Sequence, residues 1–439
     1  VGIYHEATGI TSTYESFNES ISNVSRGMYA CPNVKTKYRM VSLNVGTPIW
    51  MRGPGEATGA FALESALDEI SYKLNIDPIK LRIINNAETD PESGKPFSSK
   101  YLKEAYEIGA DKIGWKDRSA TPRAKKEGEY FVGYGMATGR FGAYRDKATA
   151  SAKLLANGQL EIRCAAADIG PGTTTAMAQI AADAFKFNEE NIKFLLGDSS
   201  FPDAPSQGGS FTIATVGSAV YDSCIALQKK LLETASISDN NFRSVPFEEV
   251  VFDDGVMLKK SDETIKISYT DILKNNNLPE LIVTQQSVPA DFSKYSMSSF
   301  SVHFTKVHVH PLTGVVKIVQ IVSVADSGTI INTKTARSQM IGGATGGIGM
   351  ALTEEGEIDH RYGRHVNNNL ADYHLPVHAD TPAIETYFIN KKDPVINPMG
   401  AKGMGEIALI GFAASVANAV YNATGKRIRD LPITPDKLI

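Results

Sequence analysis

The sequence predicts an α+β fold, in which helices and strands are interleaved without the strict alternation of a βαβ protein. Two kinds of pattern support this class: β-prone runs joined by tight hairpin turns, and apolar residues that recur at helical spacing. Because 439 residues exceed what a single ordinary hydrophobic core requires, we expect more than one packed subdomain.

The first well-defined helix is predicted over residues 59–74. Its apolar residues recur every three or four positions, and charged residues occupy the other side, which is the pattern of an amphipathic helix. The run Asn75-Ile76-Asp77-Pro78 ends it. A second helix is expected to begin after the proline, whose missing N–H does no harm in a first turn.

A polar, charged segment without periodicity, residues 116–128, indicates a linker or long surface loop. We place a subdomain boundary there and divide the chain into residues 1–120 and 121–439.

Beyond this boundary the sequence predicts two hairpins and three helices. Asn157-Gly158 separates two β-prone runs, residues 150–155 and 160–165, and this dipeptide is a strong hairpin signal. The second hairpin joins residues 300–310 to residues 315–324. A further strand is expected at residues 133–137, and helices at residues 174–185, 216–234 and 411–424.

Composition excludes several classes of function. The 45 basic and 49 acidic residues leave a net charge of −4, which argues against a nucleic-acid-binding surface. Cys31, Cys164 and Cys224 are odd in number and far apart, so they predict no disulfide framework, zinc site or iron–sulfur cluster. No run of about 18 apolar residues predicts a membrane span. The chain starts at Val1 without a signal-peptide pattern, which leaves cytoplasm and periplasm open.

Four segments place glycine and small hydroxyl residues immediately before a predicted helix. Such turns let backbone N–H groups approach an anion, and the positive end of the helix dipole helps to hold it. A single turn of this kind is more often a helix cap, but four together predict a long polyanionic ligand. None is a Walker P-loop or a dinucleotide fingerprint. The four segments are residues 51–56, 169–174, 206–212 and 400–406.

Glu406 ends the last of these segments and precedes an apolar run. Burial there favours the protonated form of a carboxyl group, which suits a general base. The alternative is a first-turn glutamate that stabilises the helix dipole. His308 and His310 share one strand face, but two ligands without a third make a weak metal site, so a structural role is favoured.

With these residues the sequence resembles the molybdopterin-binding large subunit of the xanthine dehydrogenase and aldehyde oxidoreductase family. It is most similar to the bacterial periplasmic aldehyde oxidoreductase type, whose arginine–glycine loop is followed by Pro-Gly-Glu, as in residues 51–56. The resemblance runs from about residue 29 to residue 438. The motifs that carry it lie at residues 29–33, 68–85, 168–182, 197–199, 208–210, 338–349, 372–373, 400–406 and 431–435.

The resemblance implies a molybdenum-cofactor-binding fold. Residues 1–120 would form the C-terminal part of its first subdomain, and residues 121–439 its second subdomain. Family chains carry a further segment with a GGGFGG-type loop before the equivalent of Val1, and no such loop occurs in this sequence. We therefore expect that the N-terminal part is missing here, either because a second chain supplies it or because the polypeptide has been cut.

The implied activity is hydroxylation of an aldehyde or an N-heterocycle with oxygen from water. In such enzymes the pterin dithiolene holds molybdenum, and no amino acid is a metal ligand. Glu406 would take the proton from the molybdenum-bound hydroxyl, which attacks the substrate carbon while a hydride passes to the sulfido group. The alternative is a non-catalytic scaffold or fragment that supplies only part of the cofactor cradle.

The same resemblance assigns cofactor-binding residues. Arg140 would orient the substrate, although a surface arginine is an equal alternative. Pro171 stands where a glutamine is common, which removes one side-chain hydrogen bond to the metal's oxo group. The expected cofactor-binding residues are Arg52, Gly53, Gly172, Thr173, Gly208, Gly209, Ser210, Phe211, Thr212, Gly403 and Gly405.

The implied cofactor is molybdopterin with molybdenum, as the cytosine dinucleotide because the similar enzymes are bacterial. Iron–sulfur and FAD groups are expected on partner subunits, because the three scattered cysteines cannot hold a cluster. A small-molecule substrate completes the expected set of partners.

Overall fold

The computed structural model describes residues 2–439. Its helices are α1 Asn23–Gly27, α2 Glu56–Leu74, α3 Pro78–Ile84, α4 Leu102–Ile113, α5 Thr173–Phe185, α6 Thr212–Ser238, α7 Tyr269–Asn275, α8 Thr333–Leu352 and α9 Phe412–Thr424. Its strands are β1 Ile3–Ser12, β2 Val34–Leu43, β3 Lys126–Glu127, β4 Tyr130–Gly142, β5 Thr149–Leu155, β6 Leu160–Arg163, β7 Ile192–Leu195, β8 Val250–Asp253, β9 Val256–Lys259, β10 Asp262–Ser268, β11 Glu280–Gln286, β12 Ser298–Val309, β13 Val316–Asp326, β14 Ile358–Asp359, β15 Arg364–His365 and β16 Ile384–Phe388.

The α+β class is confirmed, and so are both predicted hairpins. Strands β5 and β6 pair antiparallel across Asn157-Gly158, and β12 pairs antiparallel with β13. The predicted helices are α2, α3, α5, α6 and α9, of which α6 begins four residues earlier than expected, at Thr212. Helix α8 and helix α4 were not predicted as helices.

A five-stranded sheet in the order β16-β13-β12-β4-β3 forms the centre of the part that carries the site. Alternate residues of β12 face opposite sides: Phe300 and Phe304 pack with α4, whereas Ser301 and His303 contact the chain just before α9. Helix α9 lies directly on β4, because a Cβ at Gly133 would fall 2.0 Å from the Ala419 carbonyl oxygen. Glycine at this position therefore sets how closely helix and sheet approach.

A four-stranded sheet in the order β11-β5-β6-β7 packs against α5 and α6. Its buried residues form a separate core with α7 and the small β8–β10 sheet. Helices α5 and α6 begin at the edge of this core, so their N-termini point toward the five-stranded sheet's loops and help to form the cavity described below.

Helix α4 precedes the predicted boundary at residue 120, yet it packs on the sheet that follows the boundary. Leu102 and Tyr106 share one core with Phe300 and Phe304. The two predicted subdomains therefore share a core in the structure, and the division of the chain at residue 120 stays a prediction.

A fully buried ion pair connects α2 and α3 with β4. The Arg82 guanidinium lies 2.8 Å from a carboxylate oxygen of Glu64, and neither side chain is exposed. The Tyr29 hydroxyl donates to Glu64 at 2.6 Å, and the Thr138 N–H donates to it at 2.9 Å. Because the carboxylate is so fully hydrogen-bonded, the buried pair is satisfied and fixes α2, which follows the first glycine-rich segment, against β4.

Candidate functional site

All four glycine-rich segments line one cavity of about 770 Å³. Most of the predicted site residues are in its wall. Gly53 contacts Glu406 from just behind the lining, and Phe211 is the N-cap of α6. The predicted residues that line the cavity are Arg52, Gly172, Thr173, Gly208, Gly209, Ser210, Thr212, Gly403, Gly405 and Glu406.

Three of the segments meet at Glu406. The Gly53 N–H donates to the Glu406 carboxylate, and the Glu406 N–H donates to the Ser210 hydroxyl oxygen at 2.8 Å. The Arg52 guanidinium donates to the Gly405 carbonyl and, at 2.9 Å, to the Gln339 carbonyl. Burial lowers the pKa of Arg52, and the nearby Glu406 carboxylate raises it. Glu406 is thus held from its backbone and from its side chain.

Gln207 joins the remaining segment to this group. Its side-chain oxygen accepts from the Ile169 N–H at 2.9 Å, and its amide nitrogen donates to the Thr173 hydroxyl at 3.0 Å. The Asp168 carboxylate accepts from the Gly170 and Thr173 N–H groups at 2.8 and 3.0 Å. The Thr173 N–H is therefore already bonded to a carboxylate, and the Thr173 hydroxyl is bonded to Gln207. Gln207 and Asp168 were not predicted as site residues, although Gln207 lies in the glycine-rich segment 206–212 and Asp168 in the motif at residues 168–182.

Three long helices begin at the cavity. Helix α5 follows Gly172, and its first N–H, that of Thr173, is bonded to Asp168. Helix α6 follows Phe211 and has no side-chain cap, so N–H groups of its first turn are available to a ligand. Helix α8 is capped by Asn332, which also lines the cavity. The three positive helix ends make this wall attractive to an anion. Helix α8 was not predicted from the sequence, although Asn332 is a residue type typical of a helix N-cap.

The glycines of the cavity fall into two groups. A Cβ at Gly403 would lie 2.1 Å from the Ser210 carbonyl oxygen, so only glycine permits this contact between segments. A Cβ at Gly170 or Gly208 would meet no protein atom within 4 Å. Those two positions leave open space beside the backbone, as a ligand-binding turn requires. Ser210 has a φ of 59°, a strained conformation of the kind that concentrates at functional sites.

Glu56, the first residue of α2, is a second carboxyl group near the site. The pKa of Glu56 is raised to about 7, chiefly by burial. The nearby Arg140 acts to lower this pKa, and the Glu406 carboxylate acts to raise it. Glu56 was not predicted as a site residue, because a glutamate in the first turn of a helix ordinarily stabilises the helix dipole. The Pro-Gly-Glu motif at residues 54–56 was the available signal.

Arg140 does not line the cavity. Its guanidinium lies 3.5 Å from the Asp90 carboxylate and donates to the Ser298 hydroxyl oxygen at 3.1 Å. Burial lowers the pKa of Arg140, and the Asp90 carboxylate raises it. The structure thus places Arg140 on the side of Glu56 and does not bring it together with the predicted cofactor-binding residues. Its role in orienting a substrate stays a prediction.

The cavity is a cradle and not a set of metal ligands. Across residues 2–439, no three or more His, Cys, Asp and Glu side chains are grouped so that they could hold a metal ion. His308 instead lies 3.0 Å from Glu127 and stacks on Tyr130. Within the same range, no helix combines the length and the apolar character needed to cross a membrane.

A cradle of helix N-termini with one carboxylate defines a protein that binds a large anionic group, and comparison with known proteins identifies the group. Two family models, each described as a molybdopterin cofactor-binding domain, match residues 2–86 and 109–382. The chain belongs to the xanthine dehydrogenase and aldehyde oxidoreductase family and matches part of its molybdopterin-binding subunit. The resemblance stated from the sequence is confirmed.

Curated relatives give the same result. The aldehyde oxidoreductase molybdenum-binding subunit PaoC of Escherichia coli is 39% identical over 424 residues, which are 96% of this chain and 56% of the relative. The putative xanthine dehydrogenase molybdenum-binding subunit XdhA of Escherichia coli is 28% identical over 443 residues, 98% of this chain and 58% of the relative. The chain therefore spans little more than half the length of these relatives.

Solved structures confirm the fold. Quinoline 2-oxidoreductase from Pseudomonas putida 86 superposes with a TM-score of 0.86 at 20% identity, over 100% of this chain and 59% of that chain. Aldehyde oxidoreductase from Desulfovibrio gigas superposes with a TM-score of 0.79 at 23% identity, over 100% of this chain and 47% of that chain.

Proposed function

We propose that this chain forms the cofactor cradle and carries the general base of a molybdenum hydroxylase. The enzyme would hydroxylate an aldehyde or an N-heterocycle with oxygen from water. The observation that carries the proposal is the convergence of the glycine-rich segments on Glu406 at the edge of one cavity. Relatives named aldehyde oxidoreductase and xanthine dehydrogenase support the substrate classes.

We propose that the cavity holds a molybdopterin dinucleotide. Its volume of about 770 Å³ is within the range of sites for ligands of that kind. The open positions beside Gly170 and Gly208 allow a ligand to approach the backbone. The N-termini of α6 and α8 supply positive potential, and the Arg52 side chain lines the same cavity. The cytosine form is proposed because the similar enzymes are bacterial.

The bound cofactor would supply the metal, the activation of water-derived oxygen and, through its sulfido group, the acceptor of the substrate hydride. Glu406 would accept the proton released at that step. The Gly53 N–H donates to one oxygen of the Glu406 carboxylate. Because this bond fixes the orientation of the carboxylate, it also sets the direction of the second oxygen. Arg52, held by the Gly405 and Gln339 carbonyls, places a positive charge beside the carboxylate.

Electrons would leave through iron–sulfur and FAD groups on partner subunits. Cys164 and Cys224 are buried, and burial raises the pKa of the Cys164 thiol to about 11. Thiols of this kind do not form a cluster site, which supports a relay outside this chain. The relatives are named as subunits, which agrees with an assembled enzyme. A chain or segment equivalent to the unmatched part of the relatives would complete the assembly.

The second candidate is a non-catalytic scaffold or fragment that supplies only part of the cofactor cradle. Molybdenum analysis, together with the amount of CMP released on acid hydrolysis, separates the two. Purified complete enzyme that contains molybdenum and CMP in amounts close to that of this chain supports the cradle. A complete enzyme free of both contradicts it and leaves the scaffold.

A further inference from the structure

The segment that carries Glu406, residues 400–407, lies across strand β12 and contains three glycines. Glycine-rich backbone has large conformational freedom, so a catalytic carboxylate on it needs external restraint. The hydrogen bonds from Gly53 and to Ser210 restrain Glu406 itself. Two buried side chains restrain the segment on either side of Glu406, and neither belongs to the cavity contacts described above.

The first restraint lies before Glu406. The Lys402 side chain has no exposed surface, and its ammonium group donates to the Ser298 carbonyl at 2.8 Å and to the Ser99 carbonyl at 3.3 Å. It lies 3.7 Å from the fully buried Asp326 carboxylate. The other Asp326 oxygen accepts from the Tyr101 N–H at 2.6 Å. One lysine thus ties the segment to β12, to the end of β13 and to the chain before α4.

The second restraint lies immediately after Glu406. The Ile407 carbonyl accepts from the Ser301 hydroxyl at 2.7 Å and from His303 Nε2 at 3.2 Å. His303 Nδ1 lies 2.8 Å from the Ser323 hydroxyl, which donates to it when Nε2 carries the proton. Burial lowers the pKa of His303 to about 4, so the ring stays neutral near pH 7 and keeps this pattern of one donor and one acceptor.

The buried Lys402–Asp326 ion pair has a large desolvation cost. An apolar side chain of similar volume is often as stable as a buried ion pair or more so, because two charges must be removed from water. An apolar side chain, however, could not bond the Ser298 and Ser99 carbonyls. The pair therefore supplies fixed geometry at the segment rather than net stability.

We propose that Lys402 and His303 are positioning residues for Glu406. They hold the chain before and after it against β12, so that the carboxylate stays within reach of the Gly53 N–H. This inference rests on the proposed role of Glu406 as the base, and it adds two residues whose buried side chains position that base.

The first experiment removes the lysine tie without leaving an unpaired buried charge. Lys402→Met alone strands the Asp326 carboxylate, so it is combined with Asp326→Asn, which keeps an acceptor for Tyr101. Amide hydrogen exchange is measured on the purified chain. We expect exchange in residues 400–407 to be at least about tenfold faster in the double variant, while its melting temperature recovers above that of the single variant.

Lys100→Met is the matched control. Lys100 is a half-buried lysine whose ammonium lies 5.1 Å from the centre of the Phe300 ring, against 5.9 Å for Lys402. It bonds the Ala87 carbonyl and not the Glu406 segment. Its loss should leave exchange in residues 400–407 unchanged. Unchanged exchange in the double variant, or equal acceleration in the control, would overturn the proposal.

Two variants of His303 separate the effect of side-chain shape from the effect of hydrogen bonding. His303→Phe keeps an aromatic ring but loses the donor to Ile407, whereas His303→Gln supplies an amide N–H that can replace it. We expect faster exchange after residue 406 with phenylalanine and restored protection with glutamine. Equal exchange in both variants contradicts a hydrogen-bonding role.

The complete enzyme then links position to chemistry. The Lys402→Met, Asp326→Asn changes should lower kcat at least tenfold with KM nearly unchanged in the enzyme that keeps Glu406, and they should lower kcat no further in the Glu406→Gln background. An equal loss in both backgrounds would contradict positioning through Glu406. If Glu406→Gln alone keeps full turnover, the proposed base is wrong, whereas the exchange data still decide whether the two residues restrain the segment.

Discussion

The wall of the cavity that carries Glu406 and the wall opposite are both glycine-rich, yet glycine fits them for different reasons. In the Glu406 wall, residues 51–56, 210 and 400–406, a Cβ at Gly403 would collide with backbone of the neighbouring segment. In the ligand wall, residues 169–174 and 206–209, a Cβ at Gly208 would project into open space. One motif therefore serves contact between segments on one side and access for a ligand on the other.

Mutations in the two walls should therefore have different effects. Damage to the Glu406 wall should disturb the fold or the proton transfer, because its atoms are bonded to one another. Damage to the ligand wall should leave the fold intact and reduce cofactor binding, because its open glycines face no protein atom.

The largest expected effect is on chemistry at the Glu406 wall. Glu406→Gln keeps the size of the side chain and removes the basic oxygen, so turnover of the complete enzyme should fall by about two to four orders of magnitude. Steady-state kinetics on the assembled enzyme measure it. Turnover close to that of the wild type would show that another group takes the proton.

The next prediction compares the effect of a glycine-to-alanine substitution in each wall on the free energy of unfolding. Gly403→Ala forces a methyl group to within 2.1 Å of the Ser210 carbonyl oxygen, so it should destabilise the fold by about 1–3 kcal/mol. Gly208→Ala meets no neighbouring atom and should change stability by less than about 0.5 kcal/mol. Urea unfolding of the two variants checks the contrast. Equal losses would mean that the two glycines serve the same purpose.

Glu56, beside the Glu406 wall, should make stability depend on pH. Its pKa of about 7 in the folded chain lies above the ordinary value of 4.5. Below pH 4.5 the carboxyl is protonated in both states. As the pH rises from 4.5 to about 7, the unfolded chain releases the proton first, so stability is lost across this window and the loss is complete above it.

Glu56→Gln does not titrate and should avoid this loss. Relative to the wild type, the variant should gain on the order of 3 kcal/mol between pH 4.5 and pH 8, in line with about 1.4 kcal/mol for each pH unit that separates the two pKa values. Urea unfolding at both pH values measures the gain. Glu107→Gln, on the exposed side of α4, is the control and should gain nothing. A gain in both variants, or in neither, would contradict the assignment.

The smallest effect concerns the strained Ser210. Ser210→Ala loses the acceptor for the Glu406 N–H and keeps the φ of 59°, whereas Ser210→Gly loses the acceptor but relieves the strain. The glycine variant should therefore be the more stable of the two by about 1 kcal/mol. Thermal unfolding compares them. A more stable alanine variant would show that the serine backbone is not strained.

The sequence predicted the elements whose periodicity is strong. The β12–β13 hairpin has β-prone runs on both sides of a tight turn, and apolar residues of α9 recur every three or four positions, so local patterns were sufficient. Helix α8 escaped prediction because Gly342, Gly343, Gly346 and Gly347 give it low helix propensity. Its packing explains those glycines: a Cβ at Gly343 would lie 2.3 Å from the Ala408 Cβ. That reason exists only in the folded chain.

Individual residues of the site could be predicted from the sequence, but their arrangement in space could not. Glycine-rich turns and Glu406 are visible in the sequence because each turn has a local signature. Their convergence is not, because Gly53 and Glu406 are 353 positions apart along the chain. Lys402 and Glu56 were missed for the same reason. Each is an ordinary charged residue until tertiary contacts bury it.

Molybdenum content and turnover, measured on the same preparations of two variants of the complete enzyme, test the difference between the walls most directly. Glu406→Gln should keep molybdenum and CMP near wild-type amounts and lose turnover. Gly208→Val, which fills the open space of the ligand wall, should fold normally and lose molybdenum and CMP together with turnover. Loss of molybdenum in Glu406→Gln, or full molybdenum and turnover in Gly208→Val, would contradict the account.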